Sequence, residues 1–389
     1  MSAPGSMAPL YALSALLMVA YAAIFTLLAQ LRAAFGFSEA AIGVIVASAF
    51  IAGFVAQLWL SRFADSGHGN RLMRMGLALT FIGLVWMCFA ESLWAWIAAR
   101  TLLGFGAGCV RPGIRRLAFV YDPKRAGETL GRLAAWEIVG FLIGPIVASV
   151  LFEQAGLRAP FAFVALLAVP LAPFVWRVAV PATARPLDRA MRTLLRRPAM
   201  QSCLAMGVAF YLAIGVFDAI WALFIADLGA SQLFIGATMS LFTLPMLVIA
   251  PWAGGLAARR HVLNMITLTM TGAMLAMLSY GFIDSIWWIC LPVAIHATMD
   301  AVTMPALQLA VGYASGEEAF AAGQGLFGAT GLVVAAAASL TSGGVYQSFG
   351  AGGLWLSAAV AMALCIAIAR WRGRGVRWRD DALEDRITT

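Results

Sequence analysis

The chain has 389 residues, of which 62% are hydrophobic and only 11% are charged. Soluble domains usually carry about 25% charged residues, so this composition excludes an ordinary soluble protein and favours burial in lipid. The net charge of +8 would suit a nucleic-acid-binding protein, but the basic residues lie in short loops beside apolar stretches. We therefore expect no nucleic-acid partner, and we interpret the charge as a determinant of membrane topology and of contact with the lipid bilayer.

Apolar stretches long enough to cross a bilayer follow one another along the chain. A transmembrane helix needs about 20 mainly apolar residues, and these stretches do not alternate apolar and polar positions as barrel strands do. The sequence therefore predicts an all-α integral membrane protein with twelve transmembrane helices. The predicted spans are residues 9–31, 40–61, 72–90, 93–114, 131–152, 159–177, 200–226, 233–257, 262–282, 286–312, 320–345 and 351–370.

A long polar gap that contains three prolines divides the spans into two sets of six. We predict an N-terminal six-helix bundle at 1–177, a cytoplasmic linker at 178–198, a C-terminal six-helix bundle at 199–371 and a cytoplasmic tail at 372–389. The loops after spans 2 and 8 both place small residues before charged ones. Two related halves indicate a duplicated transporter, in which one half rocks against the other around a midplane site.

The distribution of basic residues predicts the orientation of the chain. All but Arg32, Arg100 and Arg158 of the 26 Lys and Arg residues fall into alternate gaps between spans or into the C-terminal tail. Basic loops stay cytoplasmic during insertion. We therefore expect a multi-pass protein of the cell membrane with both termini cytoplasmic. Its outer loops are very short, so a ligand has to bind among the helices.

Three local patterns carry a resemblance to a known family. They are Asp65, Gly67 and Arg71 after span 2, Arg100 and Gly104 in span 4, and Gly131, Gly140, Gly144 and Pro145 in span 5. With the two six-span halves, these patterns resemble the major facilitator superfamily, and the span 5 pattern resembles its twelve-helix drug:proton antiporter branch. The sequence departs from the family patterns at Ser61, Ser66 and Leu103, where the family has Gly, Arg and Gln.

The resemblance implies two pseudo-symmetric six-helix bundles, a monomer and transport by alternating access. It implies that Asp65 joins the two halves in one state; otherwise Asp65 is a solvated carboxylate that caps span 3. Arg71 either belongs to this contact or only anchors the topology. Gly140 and Gly144 share one helix face, where small residues permit close packing. With Pro145, they either form a kink that helps the halves to seal or rock, or simply pack span 5 closely.

Five ionisable residues fall inside predicted spans, where such groups are costly and mark functional sites. They are Arg100, Glu137, Asp218, His296 and Asp300. The resemblance places spans 1, 4, 7 and 10 around the central cavity, and four of the five residues lie on these spans. We predict that the five residues couple protons to transport or bind the substrate.

Each of these residues has a second interpretation. His296 and Asp300 share a helix face; with Asp218 they titrate as a coupled group, or they only hold helices together. An acid removed from water gains a proton more readily, and histidine titrates near neutrality. Arg100 pairs with a carboxylate in one state, or it extends to the outer surface. Glu137 accepts protons near the cytoplasm, or it only favours the start of its helix.

Motifs for enzymatic chemistry are missing from the sequence. It has no Gly-x4-Gly-Lys-[Ser/Thr] and no His-Glu-x-x-His, and its three histidines are scattered. We expect no enzymatic activity, no metal and no cofactor. The sequence predicts a secondary active transporter that exports a small amphipathic solute in exchange for protons. Two alternatives remain open, which are an importer of a small metabolite and a non-transporting membrane sensor or assembly factor.

Overall fold

The computed structural model describes residues 7–63, 68–121, 125–178, 188–259, 261–316, 319–376 and 378. Within these ranges the chain is almost entirely helical and contains no strand. The all-α prediction is confirmed. Asp65 and Gly67 lie outside the described residues.

The first half of the chain forms helices that run back and forth across the predicted membrane. They are α1 (Ala8–Thr26), α2 (Leu28–Phe35), α3 (Glu39–Phe63), α4 (Gly69–Met87), α5 (Leu93–Tyr121), α6 (Ala126–Ala155), α7 (Ala159–Ala168) and α8 (Ala172–Arg177). Helices α1 and α2 together form the first crossing, since only Leu27 separates them. Helices α7 and α8 form the sixth crossing and are joined by a 3-10 turn at Val169–Leu171.

The second half repeats this arrangement. Its helices are α9 (Asp188–Arg196), α10 (Pro198–Asp227), α11 (Gln232–Val248), α12 (Ala250–Arg259), α13 (Val262–Ser279), α14 (Cys290–Ser315) and α15 (Phe320–Arg372). Helices α11 and α12 form one crossing that is bent by 48°. Pro251, in the first turn of α12, has no N–H to continue the hydrogen-bond ladder of α11, which explains a break here.

Helix α15 contains two crossings. Its 53 residues would extend about 80 Å at 1.5 Å per residue, whereas the hydrocarbon core of a bilayer is about 30 Å thick. Gly350 interrupts the helical backbone with a φ of 67°, which is a left-handed conformation that glycine adopts without a steric penalty. The chain therefore reverses at Gly350, near the predicted turn between spans 11 and 12.

The described helices fit twelve crossings. Nine of them are long and apolar enough to cross a membrane, and α11 with α12 makes a tenth span. The division of α15 adds one more crossing, and α4 supplies the last, with Arg71 and Arg74 in its first turns lowering its hydropathy. Large apolar side chains are exposed on the outside of the bundle, including Trp94 at 77% and Trp252 at 81%. Such a surface suits contact with lipid.

One helix was not predicted. Helix α9, Asp188–Arg196, lies within the predicted linker and packs against α10 and α15. The Arg197 guanidinium after it donates hydrogen bonds to the carbonyls of Ala314 and Ser315 at 3.1 and 2.9 Å. These carbonyls are at the C-terminal end of α14, where a cation is favourable. The boundaries of the two bundles stay a prediction.

The two sets of helices pack together on the side that the charge pattern predicts to be outer, which we call the Gly36 face. There α3 packs against α15, and α6 packs against α11. Glycines allow the backbones to approach: a Cβ at Gly43 would lie 2.5 Å from the carbonyl oxygen of Ser339, and one at Gly236 would lie 2.7 Å from that of Pro145. Small residues therefore permit close contact between the halves near this face.

Candidate functional site

A cavity of about 130 Å³ lies between the two halves. Helices α1, α3, α5 and α6 of the first half line it, together with α10 and α15 of the second half. Most of its wall is apolar or aromatic, with few charged side chains. Its lining residues include Met18, Tyr21, Phe25, Phe50, Gln57, Arg111, Phe141, Asp218 and Leu332.

The Arg100 side chain is completely buried behind this wall. Its guanidinium carbon lies 4.6 Å from the ring centre of Tyr21 and 4.8 Å from that of Phe25, both on α1. None of its three guanidinium nitrogens has a hydrogen-bond partner. The side chain does not extend to the surface, and the two aromatic faces offer only partial compensation for its charge.

Asp218 of α10 is buried in the cavity wall and is 8% exposed. Since Asp218 is nine residues before the end of α10 at Asp227 and Arg100 is seven residues after the start of α5, both lie about 10 to 14 Å from the Gly36 face. An arginine of one half and an aspartate of the other are thus at a similar depth.

His296 and Asp300 form a different cluster. His296 Nε2 lies 3.5 Å from Asp300 Oδ2, and the Tyr280 hydroxyl is hydrogen-bonded to His296 Nδ1 at 3.0 Å. Both side chains are buried, with exposures of 1% and 2%, and Asp300 Oδ1 has no hydrogen-bond partner. Neither residue lines the cavity. This cluster lies within the second half, and its coupling to Asp218 stays a prediction.

Helix α5 carries two further arginines, Arg111 and Arg115. The charge pattern of the sequence predicts both to lie in the basic loop after span 4. Helix α5 instead continues to Tyr121, beyond the predicted end of span 4 at residue 114. Arg111 lines the cavity, and Arg115 Nη2 lies 3.9 Å from the predicted site residue Glu137. Spacings of eleven and four residues put Arg100, Arg111 and Arg115 near one helix face. This spacing is visible in the sequence and could have predicted that the three arginines share a helix face.

The motif glycines have unequal surroundings. A Cβ at Gly140 would overlap the backbone of Ala15, and one at Gly144 would lie 2.8 Å from the Ala22 Cβ. A Cβ at Gly104 would overlap the backbone of Ala49, whereas a Cβ at Gly131 would meet no atom within 4 Å. Gly140 and Gly144 therefore pack α6 against α1.

Pro145 and Arg71 complete the predicted motif positions that the structure describes. Near Pro145, the Ser240 hydroxyl of α11 donates a hydrogen bond to the carbonyl of Leu142 at 2.6 Å, so this part of α6 faces the second half, and a kink at Pro145 stays a prediction. Arg71 is exposed in the first turn of α4.

An ion-pair network joins the halves at the Gly36 face. Arg32 Nη1 lies 3.2 Å from Glu39 Oε1, and the Arg32 guanidinium also bonds Asp227 of the second half. The Tyr346 hydroxyl donates to Asp227 at 2.7 Å. Asp227 and Glu39 raise the pKa of the Arg32 guanidinium, mainly through the hydrogen bond to Asp227.

A polar contact lies deeper in the same interface. The Gln232 amide donates to the carbonyl of Thr26 at 3.1 Å, and the Ser149 hydroxyl donates to the carbonyl of Gln232 at 3.0 Å. Gln232 belongs to the second half, whereas Thr26 and Ser149 belong to the first. The interface is therefore closed by polar contacts at two depths.

The family model for the Major Facilitator Superfamily matches residues 10–223, which is more than half of the chain. The chain belongs to the major facilitator superfamily. A two-bundle architecture, a cavity between the bundles and a function in transport without enzymatic chemistry accord with this membership. Within the described ranges, we find no group of three His, Cys, Asp or Glu residues that could hold a metal ion.

Curated relatives of this major facilitator protein include drug-resistance proteins. The "Multidrug resistance protein MdtG" of Serratia proteamaculans is 29% identical over 120 residues, which are 31% of this chain and 29% of the relative. MdtG of Enterobacter lignolyticus is 24% identical over 286 residues, or 70% of this chain and 68% of the relative. The "Multi-drug resistance efflux pump PmrA homolog" of Lactococcus lactis is 31% identical over 121 residues, or 30% of this chain and 29% of the relative.

Solved structures of other transporters share the fold. A crystal structure of the nucleoside transporter NupG superposes with a TM-score of 0.79 at 15% identity, covering 94% of this chain and 99% of that one. A bacterial homologue of the human lysosomal transporter Spinster, in an inward-facing and occupied conformation, gives a TM-score of 0.77 at 14% identity, with 95% and 96% covered. The major facilitator fold thus extends over nearly the whole chain.

Proposed function

We propose that this protein exports a small amphipathic solute in exchange for protons, by alternating access across the cell membrane. The observation that carries the proposal is a buried Arg100, whose guanidinium has no hydrogen-bond partner, at a depth similar to that of a buried Asp218 of the other half. The relatives named for multidrug resistance and efflux support export as the direction.

The proposed coupling follows from electrostatics in a dry interface. When Asp218 is ionised, it attracts the Arg100 guanidinium across the cavity and favours the state in which the halves approach each other here. When Asp218 is protonated, the attraction is lost, and the relative free energies of the two states change. Because Arg100 keeps its proton under ordinary conditions, Asp218 is the member of the pair that exchanges protons.

His296 and Asp300 are a second candidate proton site. They are buried together inside the second half, with Tyr280 as a hydrogen-bonded neighbour. A proton bound there would act on packing within one bundle, whereas a proton on Asp218 would act between the bundles. Glu137, whose Oε2 lies 3.9 Å from Arg115 Nη2, is a third candidate.

The experiment measures proton movement in inverted membrane vesicles acidified inside by respiration. A panel of aromatic solutes, comprising cations, anions and neutral compounds, is added to wild type, Asp218→Asn and Asp300→Asn. We expect a transported solute to dissipate the gradient with wild type and not with Asp218→Asn. The matched control is Glu128→Gln, because Glu128 is an exposed carboxylate in the first turn of α6.

The two variants separate the two proton sites. Loss of the response in Asp300→Asn alone would move the proton to the His296 cluster and contradict the role of Asp218. Accumulation of the solute without any proton movement would contradict proton exchange, although transport itself would stand.

A further inference from the structure

Arg111 is the cavity cation that the nearby acids leave unbalanced. Arg100 lies at a depth similar to that of Asp218, and Arg115 Nη2 lies 3.9 Å from Glu137 Oε2. In the part of the chain that the structure describes, no carboxylate oxygen lies within 4.0 Å of Arg111. Arg111 thus lines the cavity wall without a carboxylate partner among the described residues.

The hydrogen-bonding capacity of Arg111 is also largely unused. Its Nη2 donates to the sulfur of Met18 at 3.2 Å, and its buried Nε has no hydrogen-bond partner. A guanidinium has five N–H donors, and a thioether is a weak acceptor. The Tyr21 ring, whose centre is 5.7 Å from the guanidinium carbon, offers a face to the charge but no acceptor oxygen. An anionic group that presents two oxygens would supply the missing acceptors bidentately.

We propose that Arg111 is the anion-binding residue of the cavity, and that the transported solute is an amphipathic anion with a carboxylate, sulfonate or phosphate group on a flat apolar body. The proposal rests on the proposed transport function and specifies its substrate class. The apolar body would pack against Phe50, Phe141 and Leu332, which line the same cavity.

The position of Asp218 does not oppose an anion at Arg111. Arg111 is eleven residues after Arg100 on α5, which is about 16 Å along the helix axis. Asp218 lies at the depth of Arg100, closer to the Gly36 face. The two guanidinium groups nevertheless converge on the Tyr21 ring, whose centre lies 4.6 Å from the Arg100 carbon and 5.7 Å from the Arg111 carbon. An anion at Arg111 would therefore meet two cations, against the one carboxylate of Asp218 in the cavity wall.

The test is equilibrium dialysis of the purified full-length chain in detergent with three probes that share one ring system. They are 2-naphthylacetate, 2-naphthaleneethanol and (2-naphthylmethyl)trimethylammonium. We expect wild type to bind the anion about tenfold more tightly than the alcohol, and the cation most weakly, because hydrogen bonds between a guanidinium and a charged oxygen are stronger than those to a hydroxyl. Arg111→Gln should remove the preference of the anion over the alcohol while leaving alcohol binding unchanged.

Arg111→Lys and Arg115→Gln are the accompanying variants. Lysine keeps the charge but not the planar fork, so it should retain the preference with reduced affinity for the anion. Arg115→Gln, a neighbouring arginine one helical turn away, should behave as wild type. If Arg111→Gln weakens all three probes equally, Arg111 is structural and the proposal is wrong.

Wild-type preference for the cation or the alcohol, or no binding of any probe, would also overturn the proposal. Binding is measured without a proton gradient, so it is independent of the vesicle experiment. An anion preference that depends on Arg111, combined with no proton exchange, would contradict the proposed coupling and leave the substrate class standing. Proton exchange that is driven only by cationic solutes would support the proposed coupling and contradict the proposed substrate class.

Discussion

Gly140 and Gly131 belong to one sequence pattern and one helix, yet their neighbours differ. A Cβ added at Gly140 would overlap the backbone of Ala15, which no side-chain rotation can relieve. A Cβ added at Gly131 would meet no atom within 4 Å. The same motif therefore contains a glycine required by packing of α6 on α1 and another that this packing does not require.

We expect Gly140→Ala to destabilise the protein and Gly131→Ala not to. Overpacking a close backbone contact costs about 1–3 kcal/mol, whereas alanine in a helix is up to about 1 kcal/mol more favourable than glycine. Thermal unfolding in detergent, followed by tryptophan fluorescence, should show a lower Tm for Gly140→Ala only. Equal losses in both variants would contradict the packing argument.

Gly131→Ala also tests the inferred gating role. If Gly131 is needed only in another conformational state, Gly131→Ala should keep its Tm and reduce transport in the vesicle assay. Unchanged transport would assign the motif's function to Gly140, Gly144 and Pro145, which face α1 and α11.

At the scale of helices, the halves meet mainly through two pairs, α3 with α15 and α6 with α11. Both pairs touch in the part near the Gly36 face, where glycines replace larger side chains. The Arg32, Glu39 and Asp227 network lies at the end of the first pair. Close backbone packing and ion pairs thus stabilise the same closed arrangement, and separation of the halves at this face has to break both.

We expect Arg32→Ala to shift the protein toward a state that is open at the Gly36 face. Of the two ion pairs of Arg32, only the one with Asp227 crosses between the halves. A partly exposed pair contributes up to roughly 1 kcal/mol, so losing it changes the ratio of two states up to about fivefold. Spin labels at Arg158→Cys and Asp284→Cys, in a background without the five native cysteines, report the distance between the halves. The population with longer distances should grow.

The control for this prediction is Arg132→Ala. Arg132 also forms an exposed ion pair, with Glu128 at 2.6 Å, but both residues belong to α6. Its loss should leave the distance distribution unchanged. An unchanged distribution in Arg32→Ala would show that the helix pairs alone keep the face closed.

For the whole molecule, the sequence was sufficient to predict the helical membrane fold, because lipid requires long apolar helices. The sequence was not sufficient to predict helix α9 or the full length of α5. Both lie in charged segments, where the apolar stretch ends but the helix continues. The same limit explains why Arg111 was assigned to a loop, although its spacing from Arg100 marks a shared helix face.

The candidate site was predicted only in part, for a related physical reason. The free-energy cost of placing an ionisable group in lipid marks Arg100 and Asp218 as functional candidates. It does not indicate which of these groups share a cavity. His296 and Asp300 carry the same signal and lie inside one bundle, against Tyr280. Which side chains meet depends on helix rotation and crossing, and these are determined by packing across the whole structure.

The orientation of the molecule follows from its charge pattern and is testable by labelling. Single cysteines at Arg158 and Asp284 should react with a membrane-impermeant maleimide in intact cells, since both positions are on the predicted outer face. Cysteines at Glu128 and Arg374 should react only after the membrane is permeabilised. The physical reason is that basic loops are retained in the cytoplasm during insertion, and the loops on the side of Glu128 and Arg374 hold most of the basic residues.

The same labels test the number of crossings. Glu128 precedes the fifth predicted crossing and Arg374 follows the twelfth, so eight crossings separate them and both should be on one side. Opposite reactivity of Glu128→Cys and Arg374→Cys would require an odd number. The division of α15 at Gly350 would then be the first assignment to fail, because α15 passes the length and hydropathy test as a single segment. Labelling of both from outside would keep the twelve crossings but invert the orientation, and the direction of proton exchange in vesicles would have to be reversed with it.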